Sequence, residues 1–441
     1  MRSKFLACFG AFIMFSTLST NVMGYPTVYP WGTTIYKPEQ AYNSYILIPE
    51  DLYYGNDYDA YKRAGKNIDQ KSPDSDQVYL IDMNGNIAHT WTTTHTSSKR
   101  DRLLPNGHLL HVCQTSKSII EYDWDSNIVW EFKTPAPYKP HHDVRRLENG
   151  NTLMLVMAPI PDEYQKKVKD FDIPQFGHIY RQDIHLTGDA ILEVTPDKKI
   201  VWEWKSWEHL DVNRFSLTTS PDDWTHGNTC SVIPPNKWYD AGDKRFKPGN
   251  IIFNPRSFDE IFIIDKDTKE IVYSWTNTTY YGGLAHPHEP EMIPQNVPGA
   301  GNIMLYDNGL APKKREHAGN SYLHEFNPST GEIVWTYHPA GPIGGGSKFF
   351  SYVKSTVMKL PNGNVFASED VTGRLIQIKP DPKHPDGGEI VWEYVHRSDF
   401  GRPKPYPYDY CPQMKDLPKP QELAVTPPVR DSYKLVPDAL R

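Results

Sequence analysis

A chain of 441 residues, of which 38% are hydrophobic, carries enough apolar material for one oversized core or two ordinary ones. Its formal charge of −7, with no basic run, excludes nucleic acid as the main partner. The abundance of Trp, Tyr, Pro and Gly is that of a soluble globular protein, and excludes a membrane-embedded or disordered chain.

The N-terminus differs from the rest. Arg2 and Lys4 precede an apolar run from Phe5 to Phe15, and a polar stretch then leads to Gly24. This pattern predicts a secretory signal over residues 1–24, cleaved after Gly24. The run is too short to span a bilayer, so no membrane-spanning segment is expected. The expected location is therefore periplasmic or extracellular. Removing Arg2 and Lys4 leaves 45 basic and 54 acidic residues, a net charge of about −9. Cys113, Cys230 and Cys411 remain; an odd number closes at most one pair.

Six segments then repeat along the chain: VYLIDMNGNIAHTW (78–91), IIEYDWDSNIVWEF (119–132), ILEVTPDKKIVWEW (191–204), IFIIDKDTKEIVYSW (261–275), YLHEFNPSTGEIVWTY (322–337) and LIQIKPDPKHPDGGEIVWEY (375–394). Each alternates apolar and polar residues around an Asp/Asn/Gly/Lys turn, the form of a β-hairpin. Trp91, Trp130, Trp202, Trp275, Trp335 and Trp392 occupy one place per unit, which predicts a shared packing slot. Five hairpins are preceded by a second strand–turn–strand motif, as in RLLPNGHLLHV (102–112) and MKLPNGNVFAS (358–368). Four strands per unit, repeated radially, predict an all-β, six-bladed β-propeller formed by residues 25–441 as a single domain. The first hairpin lacks the preceding motif. Tyr45–Ile48 is expected to supply one inner strand there, and the C-terminal tail near Tyr433–Val436 another, closing the ring. The excursions 49–77, 157–190, 205–225, 235–249 and 396–432 are expected on the faces.

Counting back from each turn along the incoming strand, His142, Asn228, His288 and Ser355 fall at one position. His226 and His286 fall two residues earlier. Strand alternation puts both positions on one face, and in a propeller that face lines the central channel. Cys230 shares this parity, whereas His141 and Arg145 have the opposite one and are expected to point away. Imidazoles in one register of different repeats are not required by the hydrophobic pattern, so they mark a candidate site.

At these residues the chain resembles the bacterial periplasmic arylsulfotransferases, the nucleotide-independent aryl-sulfate sulfotransferases. The matching pieces are HHDVRRLENGN (141–151), DWTHGNTCSVIP (223–234), GNIIFNPRSFDEIFIID (249–265), HPHEPEMIP (286–294) with GNIMLYDNG (301–309), and LPNGNVFASEDVTGRLIQI (360–378). The resemblance implies a six-bladed propeller that moves a sulfuryl group from a phenolic sulfate ester to a phenolic acceptor through a sulfohistidine, with no cofactor. It implies His288 as the nucleophile, His142 and His226 as supporting histidines, with Asn228 and Arg256 beside them. It places Ser355 near a hydroxyl residue that contacts substrate; Thr356 competes, and parity favours Ser355. His286 has no family counterpart and is assigned to substrate binding. These residue types suit the chemistry. Neutral imidazole is a nucleophile near neutral pH. A guanidinium stabilises charge on the sulfuryl oxygens, and a second imidazole moves the phenol's proton.

Two other readings use the same residues. His142, His226, His286 and His288 are the alternative ligands for copper or zinc in a metal-dependent enzyme. A non-catalytic propeller that binds a partner is the other. The sequence leaves the oligomeric state open, a homodimer among the options.

Overall fold

A computed structural model describes residues 32–49, 77–93, 98–173, 177–179, 185–216, 219–277, 283–309, 319–339, 349–396 and 399–426. The expected signal segment and the stretch Tyr433–Val436 lie outside these residues. Six antiparallel sheets follow one another in chain order as the blades of a propeller. Blade 2 is typical, running outward through Ser98–Leu103, Leu109–Cys113, Ser118–Tyr122 and Ile128–Lys133. The inner strands of blades 3, 4, 5 and 6 are Lys139–Arg146, Gly227–Val232, Pro287–Met292 and Val357–Lys359.

Blade 1 closes the ring. Tyr45–Pro49 leads into the hairpin Gln77–Ile81 and Ile87–Thr92, and its other edge pairs with Lys404–Tyr406, with Tyr45 opposite Tyr406. The closing strand is therefore Lys404–Tyr406, inside a stretch expected to be a face excursion. Its sequence, KPY, is too short to show the alternation by which strands are recognised. A further strand, Gly32–Tyr36, adds a fifth member to the outer edge of blade 6 by pairing with Gly388–Val395. Among the described residues no helix is long and apolar enough to cross a membrane.

Each sheet buries both faces against its neighbours. Between blades 5 and 6, for example, Met304 and Leu323 pack with Val357, Val365 and Ile376. The repeated tryptophan belongs to this contact. Its indole N–H donates to a main-chain carbonyl in the outer hairpin turn of the next blade: Trp91 to Asp123 (3.1 Å), Trp130 to Pro196 (2.9 Å), Trp202 to Lys266 (2.8 Å), Trp275 to Gly331 (3.0 Å) and Trp335 to Gly387 (2.8 Å). Trp392 completes the circuit on Met83 of blade 1 at 2.7 Å. An amphipathic indole fills the apolar slot and satisfies a turn carbonyl at its polar edge.

The inner strands are irregular where the candidate site begins. In blade 3 the pairs Val144–Met154 and Pro140–Val156 leave three residues opposite Leu155 alone. In blade 5, Glu289 and Pro290 lie opposite Leu305, and in blade 4 Asn228 has no opposite residue between Gly227 and Thr229. Blade 2 has a similar slip between Ser98 and Asp101. Such bulges turn side chains of both parities toward one face.

Candidate active site

Strand entry sets the site. His226 and His286 stand at equivalent positions ahead of the inner strands of blades 4 and 5, and both adopt left-handed backbone, with φ of 46° and 57°. Left-handed non-glycine residues cost roughly 1–2 kcal/mol, so surrounding contacts must hold them. For His286, the N–H donates to Asp259 Oδ1 at 2.7 Å. For His226, the carbonyl accepts from the Arg256 N–H at 3.2 Å. Gly227, which follows His226, admits no side chain: a Cβ there would meet Phe253 at 2.7 Å and the Asp189 carboxylate at 2.9 Å.

Three imidazoles gather at this entrance. The ring of His142 lies 4.9 Å from that of His226, and His141 packs 4.1 Å from His142 and 5.6 Å from His226. The bulge in blade 3 brings consecutive residues together, so His141 belongs to the site and does not point away. Arg256 donates from Nη1 to His226 Nε2 at 2.9 Å. With Nε2 accepting, His226 must carry its proton on Nδ1, and Nδ1 donates to Asp223 Oδ2. Burial and then the Arg256 charge lower the proton affinity of His226 to a pKa of about 4, against the pull of Asp223.

His288 is buried beside this group, and its tautomer follows from its neighbours. Asn308 Nδ2 donates to the carbonyls of Ser351 (2.7 Å) and Lys354 (3.2 Å), which leaves Oδ1 as an acceptor. His288 Nδ1 lies 2.6 Å from that oxygen, and so donates to it; the His286 carbonyl lies 3.1 Å from the same nitrogen. The lone pair is thereby placed on Nε2. Burial, and then the charges of Arg402 and Arg256, hold His288 well below the ordinary histidine range. It is a neutral imidazole with its lone pair held at Nε2.

Beneath the histidines the channel is bridged by charge. Glu289 meets Arg100 from blade 2, Arg402 Nη1 at 3.2 Å and Thr356 Oγ1 at 3.1 Å. Glu291 meets Arg145 at 2.5 Å and Lys404 at 3.2 Å. Asp143 accepts from Arg100 at 3.1 Å and Arg102 at 2.8 Å. Arg145 therefore turns into the channel, contrary to the strand count. Asn228 sits at the same level: its carbonyl accepts from Arg402 Nη1 at 2.7 Å and its Oδ1 from Nη2 at 3.4 Å, while its buried Nδ2 makes no hydrogen bond among the described residues. Cys230 shares only its backbone with the channel, through its N–H to Asp143; its thiol packs in the apolar cluster with Leu155, Trp204 and Phe253. Cys113, Cys230 and Cys411 are all unpaired.

Ser355 departs from its expected place. Lys354 and Ser355 both have positive φ, so alternation fails before the strand starts at Val357. The Ser355 N–H donates to Asp370 Oδ2 at 2.9 Å, and its hydroxyl accepts from the Asp370 N–H at 3.3 Å. The hydroxyl that reaches the channel carboxylate is that of Thr356.

The sequence of residues 42–381 matches the model of the Arylsulfotransferase (ASST) family. The chain belongs to the arylsulfotransferase family. Its propeller and its enzyme class are those of that family, and its substrates are accordingly small molecules. No curated protein matches the sequence. Among solved structures, a protein of unknown function from Bacteroides caccae is 14% identical with a TM-score of 0.45, over 82% of this chain and 99% of that one. A putative 6-phosphogluconolactonase from Bacteroides fragilis is 10% identical with a TM-score of 0.41, over 82% and 98% of the two chains. A virginiamycin B lyase from Staphylococcus aureus is 10% identical with a TM-score of 0.40, over 80% and 89%.

Several site residues of this arylsulfotransferase-family chain escape strand counting. Asp223 and Asn308 lie within the quoted motifs DWTHGN and YDNG, three residues from His226 and beside the end of a strand, and were open to discovery as histidine partners. His141 and Arg402 carry no such local signal, because a bulge delivers the first and the ring closure the second; Asp189 lies on a regular strand and is marked only by the histidine that meets it.

Proposed function

We propose that this protein transfers a sulfuryl group from a phenolic sulfate ester to a phenol by way of His288 Nε2, after export from the cytoplasm. The carrying observation is the fixed, neutral imidazole of His288 beside two guanidinium charges. In the first half-reaction the Nε2 lone pair attacks sulfur, and the ester S–O bond breaks. Its electron pair leaves on the phenolate. Arg256 and Arg402 stabilise charge on the sulfuryl oxygens and the departing oxygen. In the second half-reaction the acceptor's oxygen attacks sulfur and the S–Nε2 bond breaks, returning its pair to the imidazole. His226 takes the phenol proton, and Asp223 stabilises the imidazolium that forms. Net transfer of that proton to the first phenolate balances the cycle. Asn228 and Thr356 supply polar groups at the floor of the site. The leader-like residues 1–24 support a periplasmic or extracellular setting.

Incubation with 4-nitrophenyl sulfate tests this reading. The expected result is nitrophenolate release, one SO3 added to the peptide containing His288, and loss of both in His288→Ala. Label on another residue, or turnover in His288→Ala, overturns the assignment.

A further inference from the structure

The histidine trio has a second chemical capacity. The ligand atoms of His141, His142 and His226 all lie within 4.8 Å of one another, as do those of His141, Asp189 and Asp223. Two imidazoles are already oriented in the manner of metal ligands. His141 Nδ1 is held by Asp189 Oδ1 at 2.6 Å, and His226 Nδ1 by Asp223 Oδ2, so both present Nε2 to the shared space. A carboxylate behind the ligating imidazole is the usual outer partner at such centres. Asp189 is saturated in this role: it also accepts from Thr225 Oγ1 and the Gly227 N–H, each at 2.5 Å. Asp223 Oδ1 lies 4.0 Å from His141 Nε2.

We propose that His141, His142 and His226 bind one divalent transition-metal ion of the zinc–copper class, with a solvent molecule in the fourth position. Bonds of about 2.0–2.1 Å in a tetrahedron put ligand nitrogens roughly 3.3 Å apart. The trio reaches that spacing by a contraction of at most about 1.5 Å, within side-chain torsion. Three imidazole ligands suit zinc or copper and disfavour magnesium or calcium. The ion takes His226 Nε2 from Arg256, so metal and the Arg256–His226 contact exclude each other. His286 and His288 stand outside this set, because among the described residues neither offers a ligand atom within 4.8 Å of all three. The inference does not depend on sulfuryl transfer.

Metal analysis of the full chain, dialysed against Zn2+ and then metal-free buffer, tests it. One equivalent of zinc is expected, with Co2+ giving the visible absorption of a four-coordinate site. His141→Gln is expected to weaken zinc binding more than tenfold, whereas His288→Ala retains it. Zinc should also raise the melting temperature of the parent and not of His141→Gln, which separates loss of a ligand from loss of fold. No bound zinc, or equal binding by His141→Gln, overturns the site. If transfer is observed, zinc should inhibit it and a chelator restore it. Zinc held by the trio without inhibition overturns the assignment of His226 as a ligand. A sulfated His288 in protein that binds no metal leaves the transfer reading intact and removes this one.

Discussion

Glu289→Gln isolates the charge network that bridges the channel. The parent carboxylate and the Arg100 guanidinium are both fully buried, and Arg402, at the same carboxylate, is 2% exposed. The five cations Arg100, Arg102, Arg145, Arg402 and Lys404 already outnumber Asp143, Glu289 and Glu291. Glutamine keeps the shape and the acceptor for Thr356, but removes the negative charge that faces Arg100 and Arg402. Removing one member of a buried pair costs about 3–5 kcal/mol, a large part of the 5–15 kcal/mol typical of folded proteins. Urea unfolding followed by tryptophan fluorescence and circular dichroism measures it, as a fall in midpoint at unchanged slope. A loss below about 1 kcal/mol refutes the view that Glu289 neutralises buried cations.

Other consequences are equally direct. Burial raises the affinity of Glu289 and Glu291 for protons, but Arg100 and Arg402 beside the first, and Lys404 and Arg145 beside the second, lower both overall. A depressed carboxylate stabilises the fold above its unfolded pKa of about 4.3 and loses that contribution as pH falls toward the folded value. Stability should therefore hold above about pH 5 and decline below it, with a shallower acid limb in Glu291→Gln than in the parent; equal limbs would contradict the assignment. Trp392→Phe removes the donor to Met83 and part of the apolar contact, and should cost about 1–3 kcal/mol by urea titration, against near zero if the slot is merely filled. Asn308→Ala frees the His288 tautomer and should slow sulfation of His288 roughly 10–100-fold, read by quenched-flow mass spectrometry, with zinc binding unchanged. Because His288 is held neutral well below the ordinary range, that sulfation should keep its rate as pH falls from about 8 to about 6; a loss centred near 6.5 would mark an unperturbed imidazole.

The six blades are legible in the sequence because outer hairpins are regular. Period-two alternation, a turn cluster and one tryptophan per unit survive translation into structure without ambiguity. Inner strands are different. Counting alternation brings His142 and His226 together and finds Asn228 in the channel, but it misplaces His141, Arg145 and the thiol of Cys230. A bulge reverses the face of every residue beyond it, and no residue type announces that reversal. The parity argument for Ser355 over Thr356 breaks for a related reason: Lys354 and Ser355, ahead of the strand, are both left-handed. The glutamates of HPHEPEMIP receive cations from three other blades, a role visible only once the ring is closed. Lys404 arrives from a short strand, and Arg402 from just ahead of it, more than a hundred residues away along the chain.

Ring closure also orders events in time. The strand that seals blade 1 follows every other strand among the described residues, and just ahead of it stands Arg402, whose N–H docks on Asp370 at 2.8 Å and whose guanidinium reaches Asn228 and Glu289. Until that strand is seated, His288 lacks one of its two neighbouring cations and Glu289 lacks a partner. A nascent or C-terminally clipped chain therefore lacks the Arg402 charge at both places, and the network is complete only when this strand has paired with Tyr45–Pro49.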